Sequence, residues 1–208
     1  MLVVMPSPIN HFLTRHMDDR AVMVVGATGF AGRSLATQLA NSGHRVFALS
    51  RNAYRLPALA HVEVFPQPMD NSTLLHQLLP QCKIVFHLAS DSTPGSTATQ
   101  PSLEATANLL PTLRLLEIMQ SYPQVPMVYA SSGGATYAST DTARTETSPL
   151  APLSYYGAGK AAIERFLHAY AHQYGGKVVV LRPSNLYGPG QAYKKGFGIV
   201  PTAFHHLL

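Results

Sequence analysis

A single cysteine in 208 residues, Cys82, excludes an internal disulfide and leaves no thiol pair to hold zinc. Such sparing use of thiols suits a reducing cytosol, so a cytoplasmic location is expected, and Cys82 itself reads as a small buried apolar residue. Long apolar runs are missing too. Stretches such as 178–181 fall far short of the roughly 20 residues a membrane span needs, and no membrane association is expected. There is also no block of basic residues: the formal charge of +5 comes from scattered lysines and arginines, which argues against nucleic acid and suits small anionic ligands. His168 and His172 stand at i, i+4 spacing but lack a third ligand, so no metal is expected.

What is present is a hydrophobic content of 46%, enough to bury a core in one globular domain with the beginning of another. Residues 1–20 read as an extension before the first strand. From Ala21 to Arg182, apolar strands alternate with helical segments, a pattern that predicts an α/β fold with a parallel sheet covered by helices on both faces. The strands are expected over 21–25, 45–50, 62–65, 84–88, 127–131 and 177–182, and the helices over 30–42, 71–79, 102–121 and 154–174. The third helix begins just after Pro101 and should kink at Pro111. Its apolar residues occupy more than one face. The excess suits either burial within the monomer or contact with a partner subunit.

Between the first strand and first helix lies Gly26-Ala27-Thr28-Gly29-Phe30-Ala31-Gly32. Gly26 permits the tight turn, Gly29 lets the backbone approach a pyrophosphate, and Gly32 lets the helix pack close to the strand. At the end of the second strand, Ser50-Arg51 stands where an NAD-specific fold places a carboxylate for the ribose hydroxyls. Arg51 and Arg55 suit a ribose 2′-phosphate instead, or are ordinary surface arginines. Asp70 is placed to meet the adenine edge or to cap the helix at Asn71. His87-Leu88-Ala89-Ser90 ends the fourth strand in mostly small residues, as a chain passing close to a cofactor must. His87 itself reads as a core histidine.

The fifth strand runs into Ser131-Ser132-Gly133-Gly134, which puts hydroxyls at the carboxyl edge of the sheet, where ligands of open α/β sheets bind. Tyr156 and Lys160 lie four residues apart on one helix face, while Tyr155 points about 100° away and is expected to pack. A phenol serving as base near neutrality needs its pKa lowered by roughly 3 units, about 4 kcal/mol. A nearby ammonium and a positive nicotinamide ring are the natural sources. Pro183 should turn the chain out of the sixth strand, leaving Asn185 to face the substrate.

These motifs, GATGFAG, HLAS, NLLPT at Asn108, YASSGGATY, SYYGAGK and LRPSNLYGPGQ, resemble in sequence and order the extended short-chain dehydrogenase/reductase family, in particular its NAD(P)-dependent nucleotide-sugar epimerases and dehydratases. The resemblance implies a Rossmann-like, doubly wound sheet of strand order 3-2-1-4-5-6 over residues 21–190. Residues 191–208 would begin a substrate lobe, most of which lies beyond this chain. It implies cofactor contacts from Gly26, Thr28, Gly29, Phe30, Ala31, Gly32, Ser50, Arg51, Arg55, Asp70, Leu88, Ala89, Ser90, Asn108, Tyr156, Lys160 and Pro183, with NADP expected and NAD the alternative. It further implies Tyr156 as base, Lys160 on the nicotinamide ribose, and Ser132, with Ser131 in reserve, polarising the reacting oxygen. Gly133-Gly134 replaces the acidic pair of dehydratases, which disfavours dehydration. The expected activity is nucleotide-sugar epimerisation; the alternatives are an NADPH-dependent sugar reductase or a cofactor-binding module without turnover. A homodimer through helices 102–121 and 154–174 is implied as well.

Overall fold

The run Ala-Val-Met-Val-Val forms strand β1 (Ala21–Val25) with every residue buried, as a strand covered on both faces requires. The computed structural model describes residues 19–52, 56, 58–93, 95, 98–138, 143–193 and 198–207. Of the extension expected over 1–20, only Asp19 and Arg20 fall within these, and both are exposed. After β1 come helix α1 (Phe30–Asn41), β2 (Val46–Leu49), β3 (Val62–Phe65), α2 (Ser72–Leu78) with a 3₁₀ turn (Leu79–Gln81), and β4 (Cys82–His87). The chain continues through α3 (Pro101–Glu104), a π-helical turn (Ala105–Leu109), α4 (Leu110–Met119), β5 (Met127–Ala130), α5 (Tyr155–Tyr174), β6 (Val178–Leu181) and α6 (Ile199–Leu207). The six strands pair in parallel in the order β3-β2-β1-β4-β5-β6, the order expected.

Alternation along the strands sends side chains to two separate cores. Met23, Val25, Phe47, Leu49 and Tyr129 meet Leu75 of α2, Leu115 and Met119 of α4, and Ile163 and Leu167 of α5. On the other face, Val22, Val24, Val46, Ala48, Ile84 and Phe86 meet Ala36 and Leu39 of α1. At the β6 end, Val179 and Leu181 remain 43% and 38% exposed, whereas the opposite-facing Val178 and Val180 pack on the first core. Helical cover on both faces therefore holds for β1, β2 and β4 but stops short of β6. No helix among the described residues is long and apolar enough to cross a membrane.

The single helix expected over 102–121 is instead three pieces. A proline inside a helix has no amide hydrogen to give, and here the wider π turn precedes it, placing Pro111 in the first turn of α4, where none is needed. Asn71, not Asp70, caps α2: its side chain accepts from the Leu74 amide at 3.1 Å. Helix α5 starts under a similar cap, Ser154 Oγ accepting from the Gly157 amide at 3.1 Å, and ends at Gly175, whose φ of +70° closes it in the left-handed region.

Candidate active site

The glycine turn lies where β1 separates β2 from β4, at the carboxyl end of the sheet. Gly26 has φ +84°, and a Cβ there would stand 2.6 Å from the Ala89 amide nitrogen, so both conformation and space demand glycine. A side chain on Gly32 would overlap the carbonyl of Gly26, which is how α1 comes to rest directly on the turn. Gly29 offers no capping side chain and the first turn of α1 holds no acid, so the amides of Phe30, Ala31 and Gly32 form an uncapped, electropositive helix end.

In front of this end opens a cleft of about 340 Å³, lined among others by Gly26, Thr28, Gly29, Ser50, Arg51, Asp70, Leu88, Ala89, Ser90 and Asn108. The structure thus brings together most of the residues expected to hold a dinucleotide, and a glycine cradle facing an amide-rich helix end fits its pyrophosphate. Thr28 and Ser50 share a hydroxyl hydrogen bond of 2.6 Å that ties the turn to the end of β2. Asp70 receives Arg114 Nη1 at 3.0 Å on one side and faces the cleft on the other. Arg55 lies outside the described residues. Pro183 and Asn185 do not line the cleft: Pro183 gives its carbonyl to the Gly133 amide at 2.8 Å, and Asn185 is exposed in the coil after β6.

At the same edge of the sheet, just past β5, the Ser132 hydroxyl stands near enough to that of Tyr156 to favour its phenolate. Lys160 is 4% exposed; its Nζ donates to the Ala130 carbonyl at 2.9 Å and stands 5.7 Å from the centre of the Tyr156 ring. Burial lowers the Lys160 pKa to about 8 against the pull of Glu104 and Glu164, which favour the ammonium. Tyr156 moves the other way from the expected drop. Burial raises its pKa and the Glu104 carboxylate adds to the rise, the nearby Ser132 hydroxyl offsetting only part.

The two serines part company here. Ser131 Oγ donates to the buried carboxylate of Glu164, which also takes Arg182 in a forked pair, Nη2 to Oε2 at 2.6 Å and Nε to Oε1 at 3.1 Å. Ser132 is the serine that lies near Tyr156. His87 is a core residue as expected: Nε2 meets Thr112 Oγ1 at 3.0 Å, Nδ1 has no partner among the described residues, and burial drops its pKa to about 3. Tyr155, expected to pack, is 46% exposed at the first turn of α5.

Several contributors were not anticipated. Glu104, 4% exposed, accepts from Ser92 Oγ at 2.5 Å and Asn108 Nδ2 at 3.0 Å, and lies so close to α5 that a Cβ on Gly159 would come within 2.5 Å of Oε1. An acid four residues before Asn108, one helical turn away, was the available signal. Arg33 Nη2 donates to the Gly190 carbonyl at 2.9 Å and holds the loop after β6 against α1.

A model of the NAD dependent epimerase/dehydratase family matches residues 22–207. The chain belongs to that family. It is 32% identical over 197 residues to a UDP-glucose 4-epimerase of Mycolicibacterium smegmatis, covering 89% of this chain and 62% of the relative. A putative UDP-glucose 4-epimerase of Methanocaldococcus jannaschii shares 27% over 195 residues, covering 90% and 63%. The chain thus spans about three fifths of the length of these relatives. Among solved structures, a Thermus thermophilus UDP-glucose 4-epimerase in complex with NAD superposes with a TM-score of 0.77 at 31% identity, covering 89% of this chain and 60% of that one. The Thermotoga maritima enzyme with UDP-glucose gives 0.79 at 27%, covering 88% and 61%.

Proposed function

We propose that residues 21–190 are the cofactor-binding and proton-transferring part of a nucleotide-sugar epimerase, with 191–208 beginning the lobe that grips the sugar. The observation that carries this is the glycine-cradled cleft at the carboxyl end of the sheet, with Ser132 just past β5 and Tyr156 and Lys160 on one face of α5 at that same end, outside the cleft's lining. In this reading Gly26, Gly29 and the first amides of α1 hold the pyrophosphate, Thr28 and Ser50 meet the ribose, and Asp70 meets the adenine. Bound there, the dinucleotide would accept a hydride from the sugar carbon and return it to the opposite face, and its positive oxidised ring would favour the phenolate. Tyr156 takes the proton of the sugar hydroxyl, Ser132 donates to the same oxygen, and the Lys160 ammonium, mostly protonated at pH 7 with its pKa near 8, stabilises the phenolate. Asn185 is assigned to the sugar.

Arg51 at the end of β2, where a carboxylate would suit NAD, supports NADP as the preferred cofactor. The same residue favours a second reading, an NADPH-dependent sugar reductase. An epimerase regenerates its cofactor in each cycle and retains it through purification, whereas a reductase releases it oxidised. Titration calorimetry with NAD and NADP, followed by turnover on a panel of nucleotide sugars, tests both. In a version that carries the whole sugar lobe, Tyr156→Phe is expected to bind cofactor with nearly unchanged affinity and to lose about 10²-fold or more in kcat. Binding of neither dinucleotide, or a variant that turns over at the wild-type rate, would sink the assignment.

A further inference from the structure

Arg51, the residue on which the NADP preference rests, is already engaged. Its Nη2 donates to Asp91 Oδ1 at 2.5 Å, joining the residue after β2 to the loop after β4 across the cleft that both line. Asp91 is not a loose surface acid. Its amide donates to Asn108 Oδ1 at 2.8 Å, and Asn108 Nδ2 donates in turn to Ser92 Oγ at 2.8 Å and to Glu104. Ser92, Asn108 and Glu104 are all buried, so the backbone carrying this carboxylate is pinned to a closed polar frame.

The two side chains themselves remain 62% and 42% exposed, so the pair is screened and exchangeable. A ribose 2′-phosphate recruiting the Arg51 guanidinium has to displace the Asp91 carboxylate and then sit close to it. The uncharged ribose diol of NAD meets neither obstacle. We propose that Asp91 is a cofactor-selectivity residue: by competing with a 2′-phosphate for Arg51 and repelling it, it holds the preference for NADP below what Arg51 alone would give. The inference rests on the reading of Arg51 as the 2′-phosphate contact.

Calorimetric titration of NADP⁺ and NAD⁺ into the wild type, Asp91→Asn, Arg51→Gln and the double variant tests it without any need for turnover. Asp91→Asn is expected to raise the NADP:NAD affinity ratio by about fivefold, the full worth of an exposed ion pair. In the Arg51→Gln background the same change should shift the ratio far less, because the guanidinium that Asp91 pairs with is gone. Should Asp91→Asn unfold, Asp91→Ser takes its place. If both affinities move in step and the ratio stays put while Arg51→Gln selectively weakens NADP, Asp91 merely supports its loop and the proposal is overturned alone. If Arg51→Gln leaves the ratio untouched, the 2′-phosphate reading of Arg51 fails and takes the proposal with it.

Discussion

Lys160 is buried beside two carboxylates, yet burial outweighs their attraction and brings its pKa from an ordinary 10.5 down to about 8. Between those two values the unfolded chain binds a proton that the folded chain has given up, so unfolding takes up a proton and stability rises with pH through that window. Below about pH 8 both states are protonated and the cost of burying the ammonium is felt in full. Lys160→Met removes this linkage. In urea unfolding, the wild type should gain roughly 2 kcal/mol relative to the variant between pH 7 and pH 9.5. A stability gap that does not change with pH would mean that Lys160 is solvated in the folded chain. The Tyr-x-x-x-Lys pair was legible because both residues sit on one helix and their spacing alone puts them on one face. The engagement of Ser131 was not, because it is made by Glu164, 33 residues away on α5 and held by Arg182 just past β6. The rise in the Tyr156 pKa was equally hidden, since it comes from burial and from Glu104, both consequences of packing.

Helix α5 carries Tyr156 and Lys160 on a backbone that has to come unusually close to its neighbours. A Cβ on Gly157 would overlap the Ala135 carbonyl, and one on Gly159 would meet Glu104. The two glycines of Gly-Ala-Gly-Lys are therefore fitted to the loop after β5 and to α3. Gly157→Ala should push α5 off that loop, costing about 1–3 kcal/mol by overpacking and lowering kcat together with the fold's stability. Thermal denaturation and turnover measured on the same preparation would show it, and an alanine variant with wild-type melting would mean that the loop yields freely. The parallel strands were legible almost to the residue because continuous apolar runs ending in small or polar residues admit little else. The break in the third helix was not, since a proline in a helical pattern predicts a disturbance but not its form, and the π turn also has to bring Asn108 to Ser92 and Glu104.

At the scale of the molecule, the helices beside the site leave more apolar surface outward than a sheet cover needs. Leu103 and Leu110 are 43% and 41% exposed, and on α5 Phe166 and Tyr174 are 48% and 43% exposed. Helices α4 and α5 already pack on each other through Leu115, Ile163 and Leu167, with the Tyr170 hydroxyl donating to the Met119 carbonyl at 3.1 Å, so they form a rigid platform. A scattered exposed leucine means little, but several large apolar residues on α3, α4 and α5 suit a second copy of the same surface meeting across a two-fold axis. Such a contact would stiffen the helix that carries Tyr156 and Lys160, linking assembly to the site. Sedimentation equilibrium at micromolar concentration is expected to give a dimer. Phe166→Glu should shift it to monomer while circular dichroism stays that of the folded chain, because this ring is not part of either core. A wild-type protein that sediments only as monomer would remove the two-fold contact, and a Phe166→Glu variant that stays dimeric would place the interface on another face.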